Sequence, residues 1–542
     1  MHSPKLVREF NRGAILCILA CIVERGEAAT LMVHGSPGYT PGVGGYIASA
    51  ELVDGINFSV DVNNAGVAIG RAPRYDASGF DRDVRSLRWS ASDATVLGDL
   101  GTLEGRAFTA AHAINEAGVA AGGATIGFGA DQAVRWNGPG AEATQLASPP
   151  GASGARLQDI NDSGVSLGMA NVGIAVQAVR WDASGSPTTL PPIPGSYNYE
   201  AYDINNAGTA LGRAFDGSTD RGVRWDAAGT PSELGHLGLD ASGGTVVQPQ
   251  AMNSAGTAVG YAFKHDGTGN FQGTVPVRWD ASSSTAIELD TPGPTVTGFS
   301  FGDARDINDV GAAVGTVIKS PAFPTDEFGT FPARWNASGT SVTLLGHLGS
   351  APNGDTFAEA NAINSSGLIV GSAGLYNPGS GFHEPRAVYW RANGLAVDLN
   401  ARIDPASGWL LSHAYAVSDT AWIAGLGTFD PDGPGGQDAY GRYFLLQLPA
   451  TNAGDFDSDG VVDGTDFLKW QRGESPTPMS MADLADWRNN FGVVPIAQTE
   501  RSVPEPSTLL LLAIAPLYCV LQGGSIPQGR LRVGNCSTGH WG

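Results

Sequence analysis

The chain has 542 residues, with 76 glycines, a charged fraction of only 15% and a formal net charge of −22. This excludes the clustered Lys and Arg that a nucleic-acid surface requires. It favours short strands joined by tight turns, a soluble exterior and affinity for cations.

The first 29 residues read as an export signal. Lys5, Arg8 and Arg12 precede an apolar run at 14–23, followed by the small residues Ala28 and Ala29. About ten apolar residues are too few to span a bilayer and suit a signal core. Cys17 and Cys21 lie in that run, Cys519 and Cys536 lie near the other end, and residues 30–501 contain no cysteine. The body therefore has no disulfide, no thiolate metal site and no cysteine nucleophile.

From residue 60 onward a phrase recurs. It begins as Asp61-Val62-Asn63-Asn64-Ala65-Gly66 and returns at Asn115, Asn161, Asn205, Asn253, Asn308 and Asn364, with a decayed eighth copy at Ala416-Val417-Ser418. Each Asn is followed by Gly three residues later, and by a second Gly four residues beyond that. A strand ending in Trp comes next: Arg88-Trp89, Arg135-Trp136, Arg180-Trp181, Arg224-Trp225, Arg278-Trp279, Arg334-Trp335 and Tyr389-Trp390. A third phrase closes the unit, clearest as Leu234-Gly235-His236-Leu237-Gly238 and at His347.

Each unit predicts four strands. In the fourth copy these are 200–204, 209–214, 222–226 and 232–237, with Asn205 to Gly208 as a hairpin turn. Four strands in about fifty residues, repeated eight times, predict an all-β fold: a β-propeller of about eight four-stranded blades over residues 45–449, with seven as the alternative. The last copy lacks a fourth strand, and residues 45–53 are expected to supply it. The Asp of the repeated phrase (Asp61, Asp159, Asp203, Asp306) is a plausible partner for the Arg that precedes each Trp. The Ile-Asn-x-x-Gly phrase, the strand ending in Trp and the Leu-Gly-x-Leu-Gly phrase together resemble the bacterial extracellular repeats called the HAF family. That resemblance implies an extracellular location and no known catalytic chemistry.

Residues 452–492 form a second unit. Asp455, Asp457, Asp459, Val461 through its carbonyl, Asp463 and Asp466 fall at positions 1, 3, 5, 7, 9 and 12 of a loop, with Gly460 at the sharp turn. Ca²⁺ takes six to eight hard oxygens, and this series supplies them. The loop, and the echo of Asp466-Phe467-Leu468-Lys469-Trp470 in Asp483-Leu484-Ala485-Asp486-Trp487, resembles a type I dockerin. Residues 474–481 lack a ligand series, so one Ca²⁺ ion is expected rather than two. The resemblance implies a cohesin-like partner. Leu484, Trp487 and Phe491 are expected on one helix face, packed against the preceding helix.

Val503-Pro504-Glu505-Pro506-Ser507, followed by an apolar run that ends at residue 521, resembles the PEP-CTERM sorting signal. It implies transient membrane association and removal by a sorting protease, with a tail at 522–542. Histidines and aspartates at repeat-equivalent positions, such as His236, His347 and Asp99, read as scaffold. The unique residues are sought in inserts between the second and third strands, where His265-Asp266 and His383-Glu384 have acid–base potential. The chain thus reads as a secreted surface or matrix protein, non-catalytic, with a surface polysaccharide among its candidate partners. The alternative is a carbohydrate-active enzyme, a propeller polysaccharide lyase or glycosidase, which would need a pair of unique carboxylates.

Overall fold

The fold is taken from a computed structural model of the chain. It describes residues 30–49 and 60–491, except 102–105, 127–128, 297, 322–325, 392–393, 434–438, 450–453, 457–461, 463, 474 and 476–478. The expected signal peptide and the sorting segment lie outside the described residues.

Each repeat folds into a small antiparallel sheet. In the fourth, Asn198–Ile204, Ala210–Phe215, Asp220–Trp225 and Pro231–Glu233 pair in chain order. The expected turn joins the first two. Gly208 N–H bonds the Asn205 carbonyl, and Thr209 N–H bonds the Asn205 side-chain oxygen. Gly208 sits at φ 82°, a region that disfavours any side chain. Four residues on, a Cβ at Gly212 would lie 1.9 Å from the Glu200 carbonyl oxygen, so this position also excludes one. These two constraints explain the fixed Gly spacing of the phrase.

The first strand of each sheet touches the first strand of the next. Trp409–Val417 of the last repeat touches Asp61–Val62 of the first, so the inner strands close a ring. The molecule is a β-propeller. The apolar core lies between consecutive sheets: Leu167 and Ala178 of the third repeat pack with Tyr199, Val223 and Trp225 of the fourth. The seven Trp residues that end the third strands, from Trp89 to Trp390, are fully buried.

Several hydrogen-bonded series join neighbours. The Asn side chain of each phrase donates to the next repeat's backbone: Asn63 to Asn115, Asn115 to Asn161, Asn161 to Asn205, and onward to Asn364 and Ser418. The junction of last and first repeats lacks the Asn amide bond; it keeps Asp419 N–H to the Asn64 side chain, a bond that other junctions also make, as Asp162 N–H does to Asn206, and adds the Thr420 hydroxyl to the Asn64 carbonyl. Each Trp indole from Trp136 to Trp390 donates to a carbonyl of the preceding repeat, as Trp225 does to Pro191 at 2.7 Å. The Arg before Trp reaches forward to carbonyls, as Arg135 does to Asp182 and Ala183, and Arg224 to Trp279, Asp280 and Ala281. This corrects the expected Arg–Asp pairing. The Asp of the phrase lies on the inner strand, whereas the Arg of the third strand faces the next repeat's outer turn.

The closing strand also differs from expectation. His34–Gly35 pairs with Leu445 and Phe444 and becomes the fourth strand of the last sheet. Leu31 anchors it by packing with Leu399, Ile403 and Phe444. Of the expected strand at 45–53, Ala48 N–H bonds the Gly441 carbonyl of the last sheet, and residues 50–53 lie outside the described residues. Gly45 and Tyr46 pair with Tyr75 and Arg74, on the inner side of the first repeat. They occupy the edge that the two-residue strand Asp61–Val62 leaves open.

Beyond the ring, helix α1 (Gly464–Arg472) packs on helix α2 (Met481–Asn490). Phe467 meets Trp487 at 4.7 Å, Trp487 meets Phe491 at 5.0 Å, and Leu484 is buried. The Ser480 hydroxyl caps α2 through Asp483 N–H. Among the described residues no helix is long and apolar enough to cross a membrane.

Replacing Asn161 with Ala strands the Val165 N–H and takes from the buried Asn205 carbonyl one of its two hydrogen bonds, leaving only that from Gly208. The expected loss is about 1–3 kcal/mol in denaturant unfolding. Ser232→Ala, at an exposed position of the outer strand, should cost under about 0.5 kcal/mol by the same measurement.

Candidate functional site

Every inner strand from the second repeat to the eighth carries a β-bulge at the same place. The ladder skips one residue: His112, Gln158, Tyr202, Gln250, Arg305, Asn361 and Tyr415 in turn. A bulged residue leaves the pairing and its side chain is re-aimed. All of these except Tyr202, together with Val60 of the first repeat, line a central cavity of about 550 Å³. Tyr202 turns aside and donates to the Pro249 carbonyl. The flanking residues repeat, while the bulged one changes in chemistry from repeat to repeat. The propeller therefore gathers its unrepeated polar side chains on its axis.

The sixth to eighth repeats build a connected cluster there. Arg305 bonds Asp303 at 2.9 Å, Glu359 at 3.2 Å and the Asn361 side-chain oxygen at 2.9 Å. The Asn361 amide donates to the Ala414 carbonyl. Beside it, His413 stacks on Tyr415 at 5.7 Å and contacts the Ser412 hydroxyl. Burial alone would depress the Arg305 pKa, but Asp303 and Glu359 raise it, so its charge is secure. Burial lowers the pKa of His413 and raises that of Tyr415.

On the rest of the wall stand the aspartates of the phrase. Asp61 accepts from Val62 and Ile114, Asp159 from Ile160 and Ile204, and Asp306 from Ile307 and Ile363. Each carboxylate thereby clips its own repeat to the next. Asp159 and Asp203 share a hydrogen bond. Burial pushes Asp159 up to about 6 and Asp203 well above the carboxylate range, with mutual repulsion adding to the latter. His112 is driven down to about 3 by burial and by the charges of Arg71 and Arg156.

The inserts proposed from sequence are mostly extensions of the second and third strands, such as Ala258–His265 with Phe271–Trp279. Asp266 is occupied in closing that hairpin through Thr268 and Asn270. Glu384 pairs with Arg386, and His383 lies against Tyr376. His236 and His347 accept from Gly238 and Gly349 in the same turn, as Asp99 does from Gly101. Their repetition is structural.

Of the calcium-loop residues, Asp455 and Asp466 are described and buried. Phe456 N–H donates to Asp466 Oδ1 at 2.5 Å, which brings the two ends of the loop together. Asp457, Asp459, Val461 and Asp463 lie outside the described residues. Among the described residues no group of three or more His, Cys, Asp or Glu is placed to hold a metal ion.

No protein-family model matches the chain, and no curated protein matches it. Several solved propellers resemble it in outline. A virginiamycin B lyase from Staphylococcus aureus is 14% identical, at TM-score 0.33, covering 63% of this chain and 95% of that one. Puromycin hydrolase is 14% identical at TM-score 0.40, covering 74% of this chain and 64% of that one, under two thirds of its length. The β-propeller domain of the trilobed protease from Pyrococcus furiosus is 7% identical at TM-score 0.35, covering 66% and 96%. At these values the likenesses carry nothing about activity.

The Asp159–Asp203 pair makes stability pH-dependent. Its folded pKa values lie above those of an unfolded Asp, so its contribution is complete below about pH 4 and lost as pH rises through about 6. Asp203→Asn keeps a neutral donor for Asp159 and an acceptor for Met252. Its melting temperature should match or exceed that of the unmodified protein at about pH 8 and lose that advantage at about pH 4.5. Equal pH dependence of the two proteins would refute the shared proton.

Proposed function

We propose that this is an exported, non-catalytic binding protein of a cell surface or extracellular matrix. In this reading the eight repeats form an eight-bladed propeller of HAF-like repeats, and the axial channel is the ligand site. The convergence of the unrepeated bulge residues on that channel carries the proposal. A structural ring alone would have no need for this position to change in chemistry from repeat to repeat while the residue after it stays Asp or Ala. The amides of Gln158, Gln250 and Asn361 and the Arg305 cluster offer many polar contacts of the kind that bind a hydroxyl-rich surface polysaccharide.

A second reading has one observation in its favour. Asp303 and Glu359, at equivalent positions of successive repeats, are two carboxylates brought to the same guanidinium. A glycosidase or polysaccharide lyase would draw on such a pair. Both are engaged by Arg305 here, which supports a positioning role over turnover.

The C-terminal unit is proposed to be a dockerin-like module that holds one Ca²⁺. Asp455, Asp457, Asp459, Asp463, Asp466 and the Val461 carbonyl would bind it. The burial of Asp455 and Asp466, and the bond from Phe456 N–H to Asp466 that joins the loop ends, are compatible with that donor set. When bound, the ion would neutralise the loop's carboxylates and fix the start of α1. A cohesin-like protein is its proposed partner. The terminal segments are proposed to direct export and sorting.

Applied to a polysaccharide array, the full chain should bind without releasing product, and Asn361→Ala with Gln250→Ala should abolish that binding. Turnover lost in Asp303→Asn would overturn the non-catalytic reading. Calorimetry of the full chain should give one calcium site, and Asp455→Ala should weaken it at least tenfold and speed proteolysis around α1. Absence of heat would reduce the loop to an acidic linker.

A further inference from the structure

The channel wall is rich in acceptors. Asp61, Asp159, Asp203, Asp303, Asp306 and Glu359 line it, against one guanidinium, Arg305, which Asp303 and Glu359 already engage. An independent feature points the same way. Gln158, at 7% exposure, is buried in this wall, and its side-chain oxygen has no hydrogen-bond partner. In the adjacent repeat His112 Nδ1 is also without one. His112 is neutral near pH 7, so both unmatched atoms can act as acceptors. An unmatched buried acceptor in an acidic cavity is the complement of a charged donor.

We propose that the channel, taken as the ligand site of the preceding section, selects an organic cation: an ammonium group on a frame rich in hydrogen-bond donors, as in an amino sugar with a free amine or a polyamine. The ammonium sits beside Gln158 and Asp159, and the remaining donors reach Gln250 and Asn361. The cavity, about 550 Å³, is of small-molecule size. A bare divalent ion is poorly matched, because among the described residues the carboxylates do not cluster closely enough to coordinate one.

The test is calorimetry on the full chain in calcium-containing buffer, so that the C-terminal loop is saturated. The probes are the disaccharide of glucosamine, its N-acetylated counterpart and spermidine. Binding of either amine probe, at least tenfold tighter than the N-acetylated disaccharide and weakened by salt, is the expected result. Gln158→Leu should weaken the amine about tenfold without lowering the melting temperature, since it removes an unmatched oxygen. Gln158→Glu should tighten it. Equal affinity for the N-acetylated disaccharide would overturn cation selection while leaving the channel as a ligand site. Binding of no probe, or displacement of the amine by added calcium, would also overturn it.

Discussion

One side-chain amide per repeat, given to the backbone of the next, holds the ring together. The Asn of each phrase does two things at once: its oxygen closes its own hairpin turn, and its nitrogen reaches the neighbouring carbonyl. Only a side chain with both a donor and an acceptor at that distance satisfies both demands. Because each bond joins different repeats, the closure of the ring depends on the whole series being present. At the last junction, where Ser418 replaces Asn, the ring is held by Asp419 N–H to the Asn64 side chain, a bond the other junctions also make, and by the Thr420 hydroxyl on the Asn64 carbonyl. The N-terminal strand at His34–Gly35 then seals the outer edge of the same sheet, which leaves no long edge open to another chain.

The repeats divide into a part that must stay constant and a part that need not. Trp, Arg, Asn and the two glycines answer to packing or to bonds between neighbours. The bulged residue answers to neither. It leaves the ladder, so it can be His, Gln, Arg, Asn or Tyr without disturbing the sheet. Radial geometry then brings these residues together on the axis, where they meet the aspartates that clip the repeats to one another. The result is a polar, acidic channel within an otherwise apolar ring of cores. Its carboxylates are costly to bury, as their raised pKa values show.

Much of this was legible in the sequence. The repeat length, the hairpin at Asn205–Gly208 and the placement of Val223 and Trp225 in one core follow from spacing and alternation alone. The reading of His236, His347 and Asp99 as scaffold holds because all three fill the same turn. Three features were not legible. The closing strand depends on which N-terminal segment reaches the open edge, and two residues at 34–35 carry no strand signal of their own. The Arg partners lie in the next repeat, about 47 residues away, as Arg135 and Asp182 are, so local spacing could not reveal them. The channel residues were overlooked because attention went to the inserts, where unrepeated sequence is longest. A signal was present: the residue just before the Asp/Ala-Ile-Asn phrase is polar and different in most repeats.

The central claim is that the bulged residues, and not the ladder residues that precede them, open onto the axial channel. The body has no native cysteine, which makes a direct measurement possible. In a chain whose four native cysteines are replaced by Ser, single cysteines are placed at bulged positions 158, 250 and 361 and at ladder positions 157 and 360. Each is exposed to a small charged thiol reagent under native conditions. The account predicts measurable labelling at 158, 250 and 361, and labelling at 157 and 360 only at the rate of global unfolding. Equal rates at both sets, or faster labelling at 157 and 360, would contradict it.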